Sequence, residues 1–184
     1  MKSDQGSMVL SGVLDVTILD PWDRGVKRIL EFSNVLDITK AWRVKDVKVW
    51  MKSEPTDIGI ANYGNMSIRY QLNTDEMSRG QFWDAGDNRA IAFGEIAYGL
   101  NSYNDKQAFG LPVSANLRQY ANYVQPDHII QNQLDLCASI IFPESGGLVV
   151  ELNYIVYLEE IQITPTESII FNIKGKAQDL ETTI

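Results

Sequence analysis

Cysteine and histidine occur once each in this 184-residue chain, and basic residues are outnumbered by acidic ones, 16 to 24. A lone Cys137 excludes an intrachain disulfide framework and a zinc site built from cysteines, and it is compatible with a reducing compartment. A lone His128 excludes a metal centre built from several imidazoles. No apolar run reaches the ~20 residues that a membrane-spanning helix needs. The opening MKSDQGSMVLSGVLDVTILD carries Asp4 and Asp15 and no clear cleavage site, so it does not read as a signal peptide. Neither terminus holds a block of Lys or Arg, and the net charge is −8. That balance argues against binding nucleic acid by neutralising phosphates. There is no glycine-rich phosphate loop and no serine in a nucleophile-elbow pattern.

What the chain has in quantity is alternation. In LVVELNYIVYLEEIQI (148–163) the even positions Leu148, Val150, Leu152, Tyr154, Val156 and Leu158 are all apolar. A period of two marks a strand with one buried face. Sixteen residues at ~3.3 Å each would run roughly 50 Å, far beyond an ordinary strand. The alternative reading is two strands broken by a bulge near Asn153. Further strands are predicted at 8–19, 26–33, 41–52, 66–73, 89–100 and 128–142. The 89–100 segment is rich in alanine and glycine, which predicts close packing against a neighbour or a bulge. SANLRQYANYV (114–124) predicts a short helix, with Ser114 as N-cap and Leu117, Tyr120, Ala121 and Val124 at helical spacing. T-P-T-E at 164–167 fits a capping box, with Thr164 as N-cap, Pro165 at N1 and Glu167 at N3. It predicts a C-terminal helix over about 165–180 with an apolar stripe of Ile169, Ile170, Ile173, Ala177 and Leu180. The expected fold is all-β: one domain over 1–184, a jelly-roll-like β-sandwich of about eight strands with a short internal helix and the C-terminal helix.

Reactive chemistry is scarce. Asp127 and His128 are neighbours, and neighbours on a strand point to opposite faces, so they do not form an orienter–base pair. His128 is expected to be partly exposed at a strand start. Cys137 lies between Leu136 and Ala138 and reads as a buried thiol. Asp84, Asp87 and Asn88 could offer oxygens to calcium, but their spacing is not that of a twelve-residue calcium loop. Asp75/Glu76 and Glu159/Glu160 are adjacent carboxylates, which diverge on a strand and so do not by themselves make a glycosidase pair. Trp22, Trp42, Trp50, Trp83 and eight tyrosines suggest a sugar-binding platform, but Trp42 and Trp50 share strand parity, and large aromatics in a β protein favour a core or subunit-contact role. The chain is therefore expected to be no enzyme and to need no cofactor.

Seven or eight strands, long irregular connections and the closing LDLCASIIFPESGGLVVELNYIVYLEEIQITPTESIIFNIKGKAQDL resemble the single jelly-roll capsid proteins of icosahedral viruses. The resemblance is architectural and carries over no site residue. It implies a virion structural protein, assembled in the host cytoplasm, whose partners are copies of itself and other capsid proteins. MKSDQGSM is not a basic genome-binding arm, so the likeness is to shells separated from their genome, for instance by an internal membrane. The alternative is a carbohydrate-binding jelly-roll module of a phage or secreted protein. Charge placement suggests where copies could meet. Segment 24–52 holds eight bases against Glu31, Asp37 and Asp46, whereas 119–173 holds seven acids and no base. On different sides of the domain, these would make Lys45, Lys48, Glu151 and Glu159 candidate subunit contacts. As neighbours, they would neutralise each other inside one chain.

Overall fold

The fifteen-residue strand is one piece. In the computed structural model, which describes residues 6–18, 24–31, 39–52, 65–74, 87–100, 115–141 and 148–177, it runs unbroken as β8 (Leu148–Gln162). It is the centre of a three-stranded sheet. On one side β1 (Ser7–Ile18) pairs with it antiparallel at every residue, from Ser7 opposite Glu159 to Ile18 opposite Leu148. On the other lies β3 (Lys40–Met51), whose register shifts between Val44 and Asp46. The irregularity therefore belongs to β3 at Lys45, and Asn153 of β8 pairs normally with both Val13 and Trp50.

The second sheet has five strands in the order β2 (Arg24–Glu31), β7 (Gln133–Ile141), β4 (Asn65–Asn73), β5 (Ala90–Leu100) and β6 (Ala115–Val124). Antiparallel ladders join β1 to β8, β2 to β7 and β4 to β5, the nested pairing of one long hairpin rolled on itself. The fourth nested pair, β3 with β6, meets across an edge without a ladder, where the Asn122 amide donates to the Val47 carbonyl at 3.0 Å. This strand order is that of a jelly roll except at β6, which is laddered to β5 and so makes the sheets three and five strands.

Segment 115–124 is strand, not the predicted helix. The β6 backbone is laddered to β5 from Ala115 opposite Leu100 to Val124 opposite Ala92. Helical spacing in its sequence is overridden because an unpaired edge of β5 supplies its backbone with partners. The predicted connections at 19–23, 53–64, 75–86 and 142–147 lie outside the described residues, as do Trp22, Phe82 and Trp83.

The even face of β8 is buried as its alternation predicts: Val150, Leu152, Tyr154, Val156 and Leu158 all lie in the main core. They meet Leu14 and Val16 of β1, Val47 and Val49 of β3, and the even residues of β4 and β7 from the facing sheet. Each fully buried Leu, Ile or Val contributes roughly 1.5–3 kcal/mol over an exposed one. Two tyrosines need glycine beneath them. The Tyr70 ring of β4 occupies the space a Cβ would take at Gly94, its cross-strand partner on β5. The Tyr154 hydroxyl lies 2.6 Å from where a Cβ would sit at Gly12 on β1.

The helix α1 (Pro165–Ala177) starts as its capping box dictates. The Glu167 N–H donates to Thr164 Oγ1 at 3.2 Å, and the Thr164 N–H donates back to Glu167 Oε2 at 2.7 Å. Ser168 is buried and its hydroxyl accepts from the Gln131 side chain at 2.7 Å, which fixes the inner face of the helix. Ile169, Ile170 and Ile173 consequently point outward and are exposed. Residues 178–180 of the predicted stripe lie outside the described residues. No described helix is long and apolar enough to cross a membrane.

Candidate functional site

The outer face of the three-stranded sheet carries four exposed large apolar side chains, apart from those on the five-stranded sheet and on α1. Cross-strand register places its side chains in rows: Val9, Tyr157 and Asp46; then Ser11, Ile155 and Lys48; then Val13, Asn153 and Trp50. Val9 is 56% exposed, Trp50 39%, Tyr157 38% and Val149 49%. Four large apolar side chains on one sheet face are more than the scattered single residues that need no explanation. Trp42 and Trp50 do not share a face, contrary to their sequence parity. The extra residue at Lys45 inverts the alternation, so Trp42 packs against the core and Trp50 faces outward.

The four candidate contact residues all lie on or beside this face. Within one chain, Lys45 pairs with Glu159 at 2.6 Å, Lys52 with Glu151 at 2.7 Å, and Lys48 with Asp46 at 3.7 Å. Lys48 also sits 6.0 Å above the Tyr157 ring. On the other sheet, Arg28 of β2 pairs with Asp135 of β7 at 3.1 Å. The basic and acidic segments are thus neighbours rather than occupants of different sides of the domain. The exposed pairs on the three-stranded sheet contribute about 0–1 kcal/mol each, because water and salt screen them. Along the face, the bases Arg43, Lys45, Lys48 and Lys52 balance the acids Asp15, Asp46, Glu151 and Glu159. It is a locally neutral surface on a chain of net charge −8. Its β3 border is basic, and its β1 and β8 side is acidic.

No protein-family model matches the chain, and no curated protein matches it. Solved structures do. It is similar to VP1 of Trichodysplasia spinulosa-associated polyomavirus, with TM-score 0.47 and 7% identity over 89% of this chain and 98% of that one. It is also similar to Merkel cell polyomavirus VP1 in complex with 3'-sialyllactosamine, with TM-score 0.44 and 7% identity over 87% and 97% of the two chains.

The other residues singled out in the sequence have structural partners. His128 is buried, 4% exposed, rather than partly exposed at a strand start. It precedes β7, and its Nε2 accepts the Val44 N–H at 2.8 Å, while Nδ1 meets the Gln125 carbonyl. Nothing in the sequence links positions 44 and 128. Cys137 is buried, but its odd position puts it on the outer face of the five-stranded sheet. There Gln71 donates to Asn73 Oδ1 at 2.6 Å and the Asn73 amide lies 3.4 Å from Cys137 Sγ. Asp87 is committed to Arg89, both side chains 4% exposed, through a bidentate pair with contacts of 2.8 and 3.0 Å. Burial pushes the Asp87 carboxyl up, but the Arg89 hydrogen bonds and charge outweigh it and hold the group below its ordinary value. Asp84, Asp75 and Glu76 lie outside the described residues. Glu159 and Glu160 diverge, one to Lys45 and the other to Lys40 at 3.3 Å. Among the described residues, no group of three or more His, Cys, Asp or Glu is placed to hold a metal.

Proposed function

We propose that the chain is a virion structural protein, a jelly-roll capsid subunit that self-assembles through the outer face of the β1–β8–β3 sheet. One observation carries the reading: that face is apolar and charge-balanced, with Val9, Trp50, Tyr157 and Val149 exposed among equal numbers of acids and bases. Copies of a chain with net charge −8 repel one another over most of their surface. They meet without that repulsion here. A second copy turned so that its β3 border lies over the β8 row brings Lys45 and Lys48 of one subunit toward Glu151 and Glu159 of the other. The intrachain pairs then extend into a shared network, and the exposed aromatics lose water. The fifteen-residue β8 gives this face its length and ties both of its flanking strands together. The reading extends to assembly in the host cytoplasm, other capsid proteins as further partners, and a shell that does not contact its genome through a basic arm. In this reading the protein is not an enzyme.

Light scattering against salt concentration tests it. Association should weaken as salt rises, because the Debye length falls from ~10 Å at 0.1 M to ~3 Å at 1 M. The double variant Lys45→Glu, Lys48→Glu should block association while circular dichroism still reports a folded β domain. Normal assembly of that variant at low salt removes this face from the contact. A wild-type monomer that binds a glycan array favours a carbohydrate-binding module instead.

A further inference from the structure

The edge of β3 turned away from β8 is where the two sheets close on each other, and short links rather than a ladder hold it. Trp42 and Ile130 exchange backbone hydrogen bonds of 2.9 and 2.8 Å. Asn122 of β6 donates to the Val47 carbonyl. Between these two, at the β3 bulge, the Val44 N–H donates to His128 Nε2. On its other side the ring faces the Gln125 carbonyl. One imidazole thus ties the β6–β7 connection to the irregular point of an edge strand.

Only one form of the ring satisfies both partners. Nε2 must be bare to accept from Val44, so the proton sits on Nδ1 and is donated to Gln125. A second proton would place N–H against N–H at Val44 and leave a buried donor without an acceptor. We propose that His128 is an acid-operated latch: its protonation releases the 125–130 segment from the β3 bulge and opens this edge of the sandwich. The opened edge would expose unpaired β3 backbone, a template for new strand pairing.

The surroundings set the direction. Burial disfavours the charged ring most. The Gln125 carbonyl opposes that effect, the Arg43 guanidinium on β3 adds to it, and Asp127 on the same connection opposes it, with the folded-state value held below the ordinary 6.5. The other sides of the adjoining cleft, of about 290 Å³, are formed by Thr74, Asn88, Ile91 and Phe171, none of them charged. The closed form therefore binds the proton less well than the open form. Below about pH 6.5 the open form takes up more protons, and the latch weakens as pH falls toward the folded-state value.

Hydrogen-exchange mass spectrometry on the full chain tests the latch whether or not the protein is assembled. Exchange at the imidazole C2 position reports His128 titration, and amide exchange in peptides spanning 41–47 and 125–131 reports the seam. Corrected for intrinsic rates, amide opening at the seam should rise about tenfold per pH unit while one linked proton is taken up. Peptides within β8 should keep their protection. His128→Gln, which keeps an acceptor but cannot titrate, should abolish the rise. The wild-type comparison stands alone if that variant does not fold. Titration of His128 at or above its ordinary value, or seam protection unchanged through the titration, overturns the proposal.

Discussion

Gly94→Ala is the smallest change that should damage the core. Gly94 faces Tyr70 across the β4–β5 ladder, Tyr70 is fully buried, and the tyrosine ring fills the site of the new methyl group. Alanine should restrict the unfolded chain and on that ground stabilise by about 0.4–1 kcal/mol. Against this, forcing a methyl into occupied core volume costs about 1–3 kcal/mol, because the ring must leave its rotamer or the strands must part. The displaced group is a ring enclosed by the core rather than the tip of a surface side chain, so the cost wins, with a net loss of about 1–2 kcal/mol. At a urea slope of about 2 kcal/mol per M, the unfolding midpoint should fall by about 0.5–1 M with the slope unchanged. Replacing the ring should relieve the clash. In a Tyr70→Leu background the further cost of Gly94→Ala should shrink, giving a coupling of about 0.5–3 kcal/mol. A Gly94→Ala protein as stable as wild type, or costs that simply add with Tyr70→Leu, would refute the close-packing argument.

Two further perturbations probe separate parts of the account. Thr164→Ala should cost about 0.5–2 kcal/mol by removing the N-cap oxygen of α1, read by thermal unfolding at neutral pH. Hydrogen bonds from the Thr164 backbone and hydroxyl hold the Glu167 carboxyl below its ordinary value. Its share of the cap is therefore present at neutral pH and lost as pH falls through that depressed value. The difference between wild type and Thr164→Ala should accordingly narrow below about pH 4, and a constant difference would show that Glu167 is not part of the cap. Arg89→Met leaves Asp87 buried without its partner and should cost about 3–5 kcal/mol in urea unfolding. A change under about 1 kcal/mol would mean that water reaches Asp87.

The strands were legible wherever one face is buried and the other is not, because alternation then has a single physical cause. This is why β8 and β1 stand where their residues place them. Segment 115–124 fits a helical stripe locally through its leucine, tyrosine, alanine and valine, while the pairing with the edge of β5 that makes it a strand depends on a neighbour outside the segment. Trp42 and Trp50 share parity in the sequence but not a face, because one extra residue at Lys45 inverts everything after it, and a bulge in β3 is fixed by its fit to β8. The isoleucines of α1 form the stripe predicted for them, but the polar Ser168 turned out to be the docking residue, held by Gln131. Charge asymmetry marked Lys45, Lys48, Glu151 and Glu159 as contacts on the premise that the basic and acidic segments lie on different sides of the domain, and the fold places them side by side instead. Strand order, which decides whether such charges meet inside a subunit, does not follow from the charges themselves. His128 was legible only as an isolated residue. Its meaning depends on Val44, at a point of β3 where the ladder is irregular.

Electron microscopy of the purified wild-type protein at low salt, with mass determined by light scattering on the same sample, tests the central claim most directly. The account predicts regular closed particles or rings built from many copies of the chain. A homogeneous monomer at concentrations of about 10 μM or more, well above the Kd of a standard-size protein interface, would contradict it.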